Sequence, residues 1–219
     1  ELGRIFEIHA RRLGPFPPRI QDVGVIVDLA THDLDVIHKL VDSQATRVYA
    51  ETDRRIHSTH EDIVMGLIKF ANGVLAIIDI NWVTPTKIRE LIVTGERGMF
   101  VAGYLTQELR YYQNMQIKDL ASSGALPGVS EGDMITYRID RCEPLKAELR
   151  SFIHSVRTGE PPRVTAVDGM AALALAETLI KSSRLQEPIR LNGNGHLPNA
   201  GDGVDILPIW PYVSDLVTT

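Results

Sequence analysis

Asp28, His32 and Asp35 stand four and three residues apart in GVIVDLATHDLDVI, a spacing that on a helix projects all three side chains from one face. A histidine flanked by carboxylates has its imidazolium favoured and one ring nitrogen held as a donor. The other nitrogen is then free to exchange a proton or a hydrogen bond with a substrate hydroxyl. The same residues also read as a plain helix start, with an N-terminal Asp favoured by the helix dipole and a solvated His. Two carboxylates and one imidazole on a single helix face do not complete a metal site, so no metal is assigned. The dipeptide His32-Asp33 also occurs in metal-dependent phosphohydrolases built from helices, a fold that the strand-rich remainder of this chain contradicts.

Arg12 and Arg19 flank the proline-stiffened run Gly14-Pro15-Phe16-Pro17-Pro18 just ahead of the Asp/His segment. Their guanidinium groups are candidates for bidentate binding of a substrate phosphate, or else solvated cations. His57 and His60, in RIHSTHED, would hold zinc only with two further ligands, and a solvated strand entry is the expectation for them. His9, His38, His154 and His196 have no partner at useful spacing. The glycine pairs at 193/195 and 201/203 neither follow a strand nor open a helix, so they lack what a dinucleotide needs, and no cofactor-binding residue is assigned. No Gly-x-Ser-x-Gly elbow is present, so nucleophilic hydrolysis has no support.

The elements that must position these groups are legible in the hydrophobic pattern. Arg4 to Ala10 reads as a strand that gives way to the proline loop. Leu29, Leu34, Ile37 and Leu40 recur at helical intervals from Asp28 to Val41. Two apolar runs around Asn72-Gly73 predict a β-hairpin with a type I′ turn, and further strands follow at Ile88 to Thr94, Met99 to Ala102, Glu108 to Tyr112 and near Ile135 to Ile139. The run Ser122 to Asp133 is expected to be a mobile Gly-rich loop. A helix from Pro144 carries Leu145, Leu149, Phe152 and Ile153 on one face, and a second starts at a Thr165/Asp168 capping box. The domain is expected to end at residue 191. Residues 192–219 form a Gly/Pro-rich tail whose apolar cluster, Ile206 to Tyr212, is expected to dock on its own body or a neighbouring subunit.

The chain has 219 residues and a net charge of −5, so it has no global attraction for nucleic acid or an anionic membrane. No apolar run approaches the roughly 20 residues that span a bilayer, and no signal peptide is visible. A lone Cys142, expected to be a partly buried apolar residue, excludes an intrachain disulfide and fits the cytoplasm.

Three stretches in order carry a family resemblance: GPFPPRIQDVGVIVDLATHDLDVIHKL, FANGVLAIIDINWVTPTKIRELIVTGERGMF and EPLKAELRSFIHSVRTGEPPRVTAVDGMAALALAETL. They resemble the Gfo/Idh/MocA oxidoreductases, and within that family the wording is most like nucleotide-sugar members. The resemblance implies an α+β domain, an open, largely antiparallel mixed sheet with helices packed on one face. It would be the C-terminal half of an NAD(P)-dependent sugar or nucleotide-sugar dehydrogenase whose Rossmann domain is not in this chain. It implies that His32 contacts the reacting hydroxyl, that Asp28 orients it, and that Arg19 and Arg12 hold substrate. The family's catalytic Lys, in a Glu-Lys-Pro motif, has no counterpart at Glu143-Pro144 or Glu160-Pro161. By the same implication NAD or NADP is bound mainly elsewhere, the chain alone is inactive, and it forms a homo-oligomer through its sheet face. A noncatalytic oligomerisation or ligand-binding module is the alternative.

Overall fold

A computed structural model describes residues 1–114 and 131–191. Strict alternation builds its sheet: in β1 (Ile5–Pro15), Ile8 and Ala10 are fully buried while Glu7 is exposed and His9 and Arg11 lie toward the other face. β2 (Ala45–Asp53), β3 (Ile63–Phe70), β4 (Leu75–Asn81) and β5 (Val83–Gly95) follow the same rule. They are joined by β6 (Gly98–Gly103), β7 (Glu108–Asn114), β8 (Glu131–Tyr137) and the short β9 (Ile189–Arg190). The order across the sheet is β8-β7-β6-β5-β1-β4-β3-β2-β9, and of these neighbours only β1 and β4 run parallel. The expected mixed, largely antiparallel sheet is what the chain forms.

A π-helical turn (Ile26–Ala30) runs directly into α1 (Thr31–Val41), and α3 (Ala166–Leu185) lies beside it over β2. Ala30 of the π-turn and Leu34 and Ile37 of α1, with Ala176 and Leu179 of α3, close over Ile8, Ala10, Val48, Val64, Ile68, Ile78 and Ile80. Gly66 permits this approach: a Cβ there would sit 2.8 Å from both Ile78 Cγ1 and Leu179 Cδ2. The opposite face presents Met65, Leu67 and Leu75, all exposed, beside the Arg11, Asp79 and Glu90 charges, and no described helix covers it.

Several local expectations are revised. The β3–β4 connection is a three-residue loop, Ala71 to Gly73, closed by the Phe70 N–H donating to Val74 O at 3.0 Å. Only Gly73 has positive φ (93°), so the turn is not type I′, which would need a second such residue. The proline loop begins later than expected because β1 continues through Pro15. β5 starts at Val83, and β2 emerges where alternation is masked by a bulge between Ala45 and Arg47. Residues 131–133, expected in a loop, belong to β8; the rest of that loop and the 192–219 tail lie outside the described residues. α2 (Pro144–Thr158) forms as expected, N-capped by Glu143 and stopped by Gly159 at φ 74°, but none of its residues is buried. The packing of helices on one face therefore holds for α1 and α3, while Leu145, Leu149, Phe152 and Ile153 stay exposed. Cys142 is exposed as well, not partly buried.

α3 starts at the capping box. The Asp168 N–H donates to Thr165 Oγ1 at 3.2 Å, and the Thr165 N–H donates to Asp168 Oδ2 at 2.7 Å. The Thr165 N–H first, and second its hydroxyl, which donates to the same Oδ2 at 2.7 Å, hold the Asp168 carboxyl below its ordinary pKa. A depressed carboxylate contributes stability above the unfolded pKa of about 4 and loses it as pH falls through the folded value. Asp168→Ala should therefore cost about 1 kcal/mol in urea denaturation at neutral pH, with the difference from the unsubstituted protein shrinking below pH of about 4.

Candidate functional site

One rung of the sheet collects the polar groups on the helix-covered face. Arg12 of β1 pairs in register with Arg89 of β5 on one side and with Ile80 of β4 on the other. Beyond Arg89, Tyr104 continues the rung from the end of β6, its N–H donating to Arg89 O at 3.0 Å. Directly opposed residues share a face, so Tyr104, Arg89 and Arg12 project to the same side as the buried Ile80.

Helix α1 answers that rung with a carboxylate. Asp33, Leu34, Ile37 and Val41 form its buried stripe, continuing from Ala30 of the π-turn, and Asp33 is 1% exposed. Arg12 grips it bidentately, Nε donating to Oδ2 at 2.5 Å and Nη2 to Oδ1 at 3.0 Å. The Arg12 guanidinium also lies 6.0 Å from the centre of the Tyr104 ring. Burial pushes the Tyr104 hydroxyl above its ordinary pKa, and the Asp33 charge adds to this against Arg12. Burial likewise lowers Arg89, Arg12 lowers it further, and Asp33 and Asp28 oppose that shift.

Asp28 sits in the π-helical turn, half-buried, and His32 follows one helical turn later on the exposed side of α1. The turn is held from a distance by Glu61: its carbonyl accepts the Val25 N–H at 2.9 Å, and its Oε1 accepts the Ile26 N–H at 3.2 Å. Gly24 leaves the space that the Glu61 carboxylate occupies. Thr31 adds a bond from its hydroxyl to Val27 O at 3.0 Å. A π-turn inside a helix is a costlier winding that recurs at functional sites, and here it carries the acid of the predicted pair. Asp28, His32 and Asp35 make no side-chain hydrogen bond or ion pair among the described residues. Their spacing on a helical segment stands, although that segment is not the uniform α-helix expected from Asp28 onward.

The other sequence candidates separate. Arg19 is exposed in the loop after Pro17-Pro18. Arg12 is 12% exposed with its fork spent on Asp33, so its geometry is that of a group holding the helix rather than one open to a phosphate. His57 is not solvated as expected but 6% exposed, wedged between Phe16 and Trp82. Its Nδ1 accepts the N–H groups of Thr59 and His60 at 3.1 and 3.0 Å, a structural use that fixes the 57–62 loop. Asp62, fully buried, completes that loop by accepting the Arg55, Ile56 and His57 N–H groups. Among the described residues no three His, Cys, Asp or Glu side chains converge as a metal cage, and no helix is long and apolar enough to cross a membrane.

Sequence reasoning missed Asp33 as a core-facing residue, and with it Arg89 and Tyr104. The signal for Asp33 was present: a carboxylate on an otherwise apolar helical stripe must be paired. Removing one partner of a buried pair leaves the other charge uncompensated. Arg12→Ala should lose about 3–5 kcal/mol of stability in urea denaturation, and the double change Arg12→Met with Asp33→Leu should recover most of it.

Residues 1–101 match the GFO/IDH/MocA C-terminal domain family. The UDP-N-acetylglucosamine 3-dehydrogenase of Acidithiobacillus ferrooxidans is 26% identical over 174 residues, covering 77% of this chain and 51% of that protein. The myo-inositol 2-dehydrogenase of Thermotoga maritima is 24% identical over 205 residues, covering 87% and 58%. The solved structure of the Acidithiobacillus enzyme aligns with a TM-score of 0.72 at 23% identity, over 84% of this chain and 56% of that one. A levoglucosan dehydrogenase in complex with NADH and L-sorbose aligns at 0.69 and 17% identity, over 86% and 59%. The chain thus spans about half the length of the curated relatives it matches.

Proposed function

Because residues 1–101 match the GFO/IDH/MocA C-terminal domain family, we propose that this chain is the substrate-side half of an NAD(P)-dependent dehydrogenase acting on a ring hydroxyl of a sugar or nucleotide sugar. The observation that carries the reading is the position of Asp28 on the π-turn and of His32 four residues later on α1. The names of the relatives, a nucleotide-sugar dehydrogenase and an inositol dehydrogenase, support the substrate class.

A bound nicotinamide would supply the hydride acceptor for the carbinol carbon. The dinucleotide would be held mainly by residues other than those described here. The work of this chain is on the oxygen. As the C–H pair departs, the hydroxyl proton leaves for a base and the C=O bond forms; His32 receives or relays that proton, and Asp28, one helical turn earlier, is placed to orient it. The sheet rung beneath supplies a rigid floor, so that positioning is the protein's main contribution.

The uncovered sheet face, with Met65, Leu67 and Leu75 exposed, supports a homo-oligomer assembled through it. The same face is the basis of the alternative, a noncatalytic assembly or ligand-binding module. A cytoplasmic setting agrees with the single exposed thiol of Cys142.

In the protein that joins this chain to its nucleotide-binding half, His32→Ala should lower kcat/KM for sugar oxidation by about 10²–10⁴, the usual worth of acid–base catalysis. A variant that turns over at the unsubstituted rate removes His32 from the mechanism and favours the module.

A further inference from the structure

Tyr104 Oη is a buried side-chain oxygen with no hydrogen-bond partner among the described residues. Buried hydroxyls are nearly always satisfied, by protein, ordered water or ligand, so one left open here is available to a ligand atom. Its neighbour on the rung, Arg89, is half-buried and makes no ion pair or side-chain hydrogen bond among the described residues.

Like charges on directly opposed strand positions are destabilising, and Arg89 stands opposite Arg12. Asp33 offsets only one of the two cations, because both of its oxygens are engaged by Arg12. Asp28 lies near enough for its charge to act on Arg89 but forms no ion pair with it. Two donors therefore remain with their capacity unspent on adjacent positions of one sheet face: the five N–H groups of a guanidinium and a phenolic O–H. Such a set matches an acceptor-rich oxyanion better than a neutral hydroxyl, which would need acceptors as well.

We propose that Arg89 and Tyr104 form a substrate-specificity site that binds an anionic oxygen group, a phosphate or carboxylate, carried by the sugar whose ring is oxidised beside Asp28 and His32. The Arg12–Asp33 pair serves this site by neutralising the second guanidinium and fixing α1 over the rung, so that Arg89 is the cation left for the ligand. The oxyanion enters with its charge toward the Arg89 fork and accepts the Tyr104 hydroxyl, giving the buried Oη the partner it lacks. The proposal rests on the dehydrogenase reading for the identity of the ligand, and its test needs no turnover, so the two can fail separately.

The experiment is calorimetric titration of the 219-residue chain with glucose 1-phosphate, glucuronate and glucose, at fixed ionic strength. The unsubstituted chain should bind at least one of the two anionic sugars about tenfold or more tightly than glucose. Whichever anion binds more tightly distinguishes a phosphate site from a carboxylate site. Arg89→Gln should abolish the preference, Arg89→Lys should retain part of it, and Tyr104→Phe should weaken anion binding by about fivefold to tenfold while leaving the circular dichroism spectrum and Tm unchanged. Equal binding of all three sugars, binding of none at millimolar concentration, or a preference that survives Arg89→Gln would overturn the proposal. Loss of turnover in His32→Ala bears only on the dehydrogenase reading.

Discussion

The bidentate bridge between Arg12 and Asp33 is the constraint on which the arrangement of this site depends. It joins a central strand to the first helix at the point where the sheet's helix-covered face turns from apolar to polar. A buried pair of this kind contributes little net stability over an apolar one, but it tolerates no partial loss. Its value here is geometric: a fork with two fixed bonds sets the rotation of α1 about its axis as well as its distance from β1. With Asp33 held inward, the helical period directs His32 toward solvent, one turn after the half-buried Asp28.

The surroundings of that bridge are built to leave polar groups in place without letting water dissolve the packing. Ile8, Ala10, Ile78 and Ile80 seal the sheet next to the rung, and Val25, Ile26 and Ala30 seat the π-turn against it. The turn departs from regular winding, yet it is held at its start by Glu61 and closed further on by Thr31, so its less favourable hydrogen-bonding pattern is over-determined by neighbours. The loop that delivers Glu61 is itself fixed by buried Asp62 and His57. Two segments distant in sequence thus cooperate to present one acidic side chain.

Division of labour between the two sheet faces follows from where helices lie. α1 and α3 cover one face over β1 to β4, and the polar rung lies where that cover gives way toward β5 and β6. The other face keeps exposed apolar residues among paired charges. Helix α2 follows neither pattern: its caps and amphipathic period are those of a stable helix, but its apolar stripe remains in solvent.

Local periodicity and end chemistry were enough to read most elements from the chain alone. The alternation of β3 to β7, the Thr165/Asp168 box, the Gly159 stop and the four-residue step from Asp28 to His32 all concern neighbours within a turn or a strand. These are short-range effects that depend little on context. What the chain did not disclose was set by partners far away in sequence. The choice of Asp33 over Asp35 as the inward acid needed Arg12, 21 residues earlier, and the rung of Arg12, Arg89 and Tyr104 exists only because β1 pairs with β5 and β5 with β6 in one particular register. His57 reads as a surface residue until Phe16 and Trp82 close on it. Residue types and spacing supplied the candidate acid and base, whereas burial and strand register, which follow from the packing of the whole sheet, decided which charges are spent on structure and which stay unpaired among the described residues.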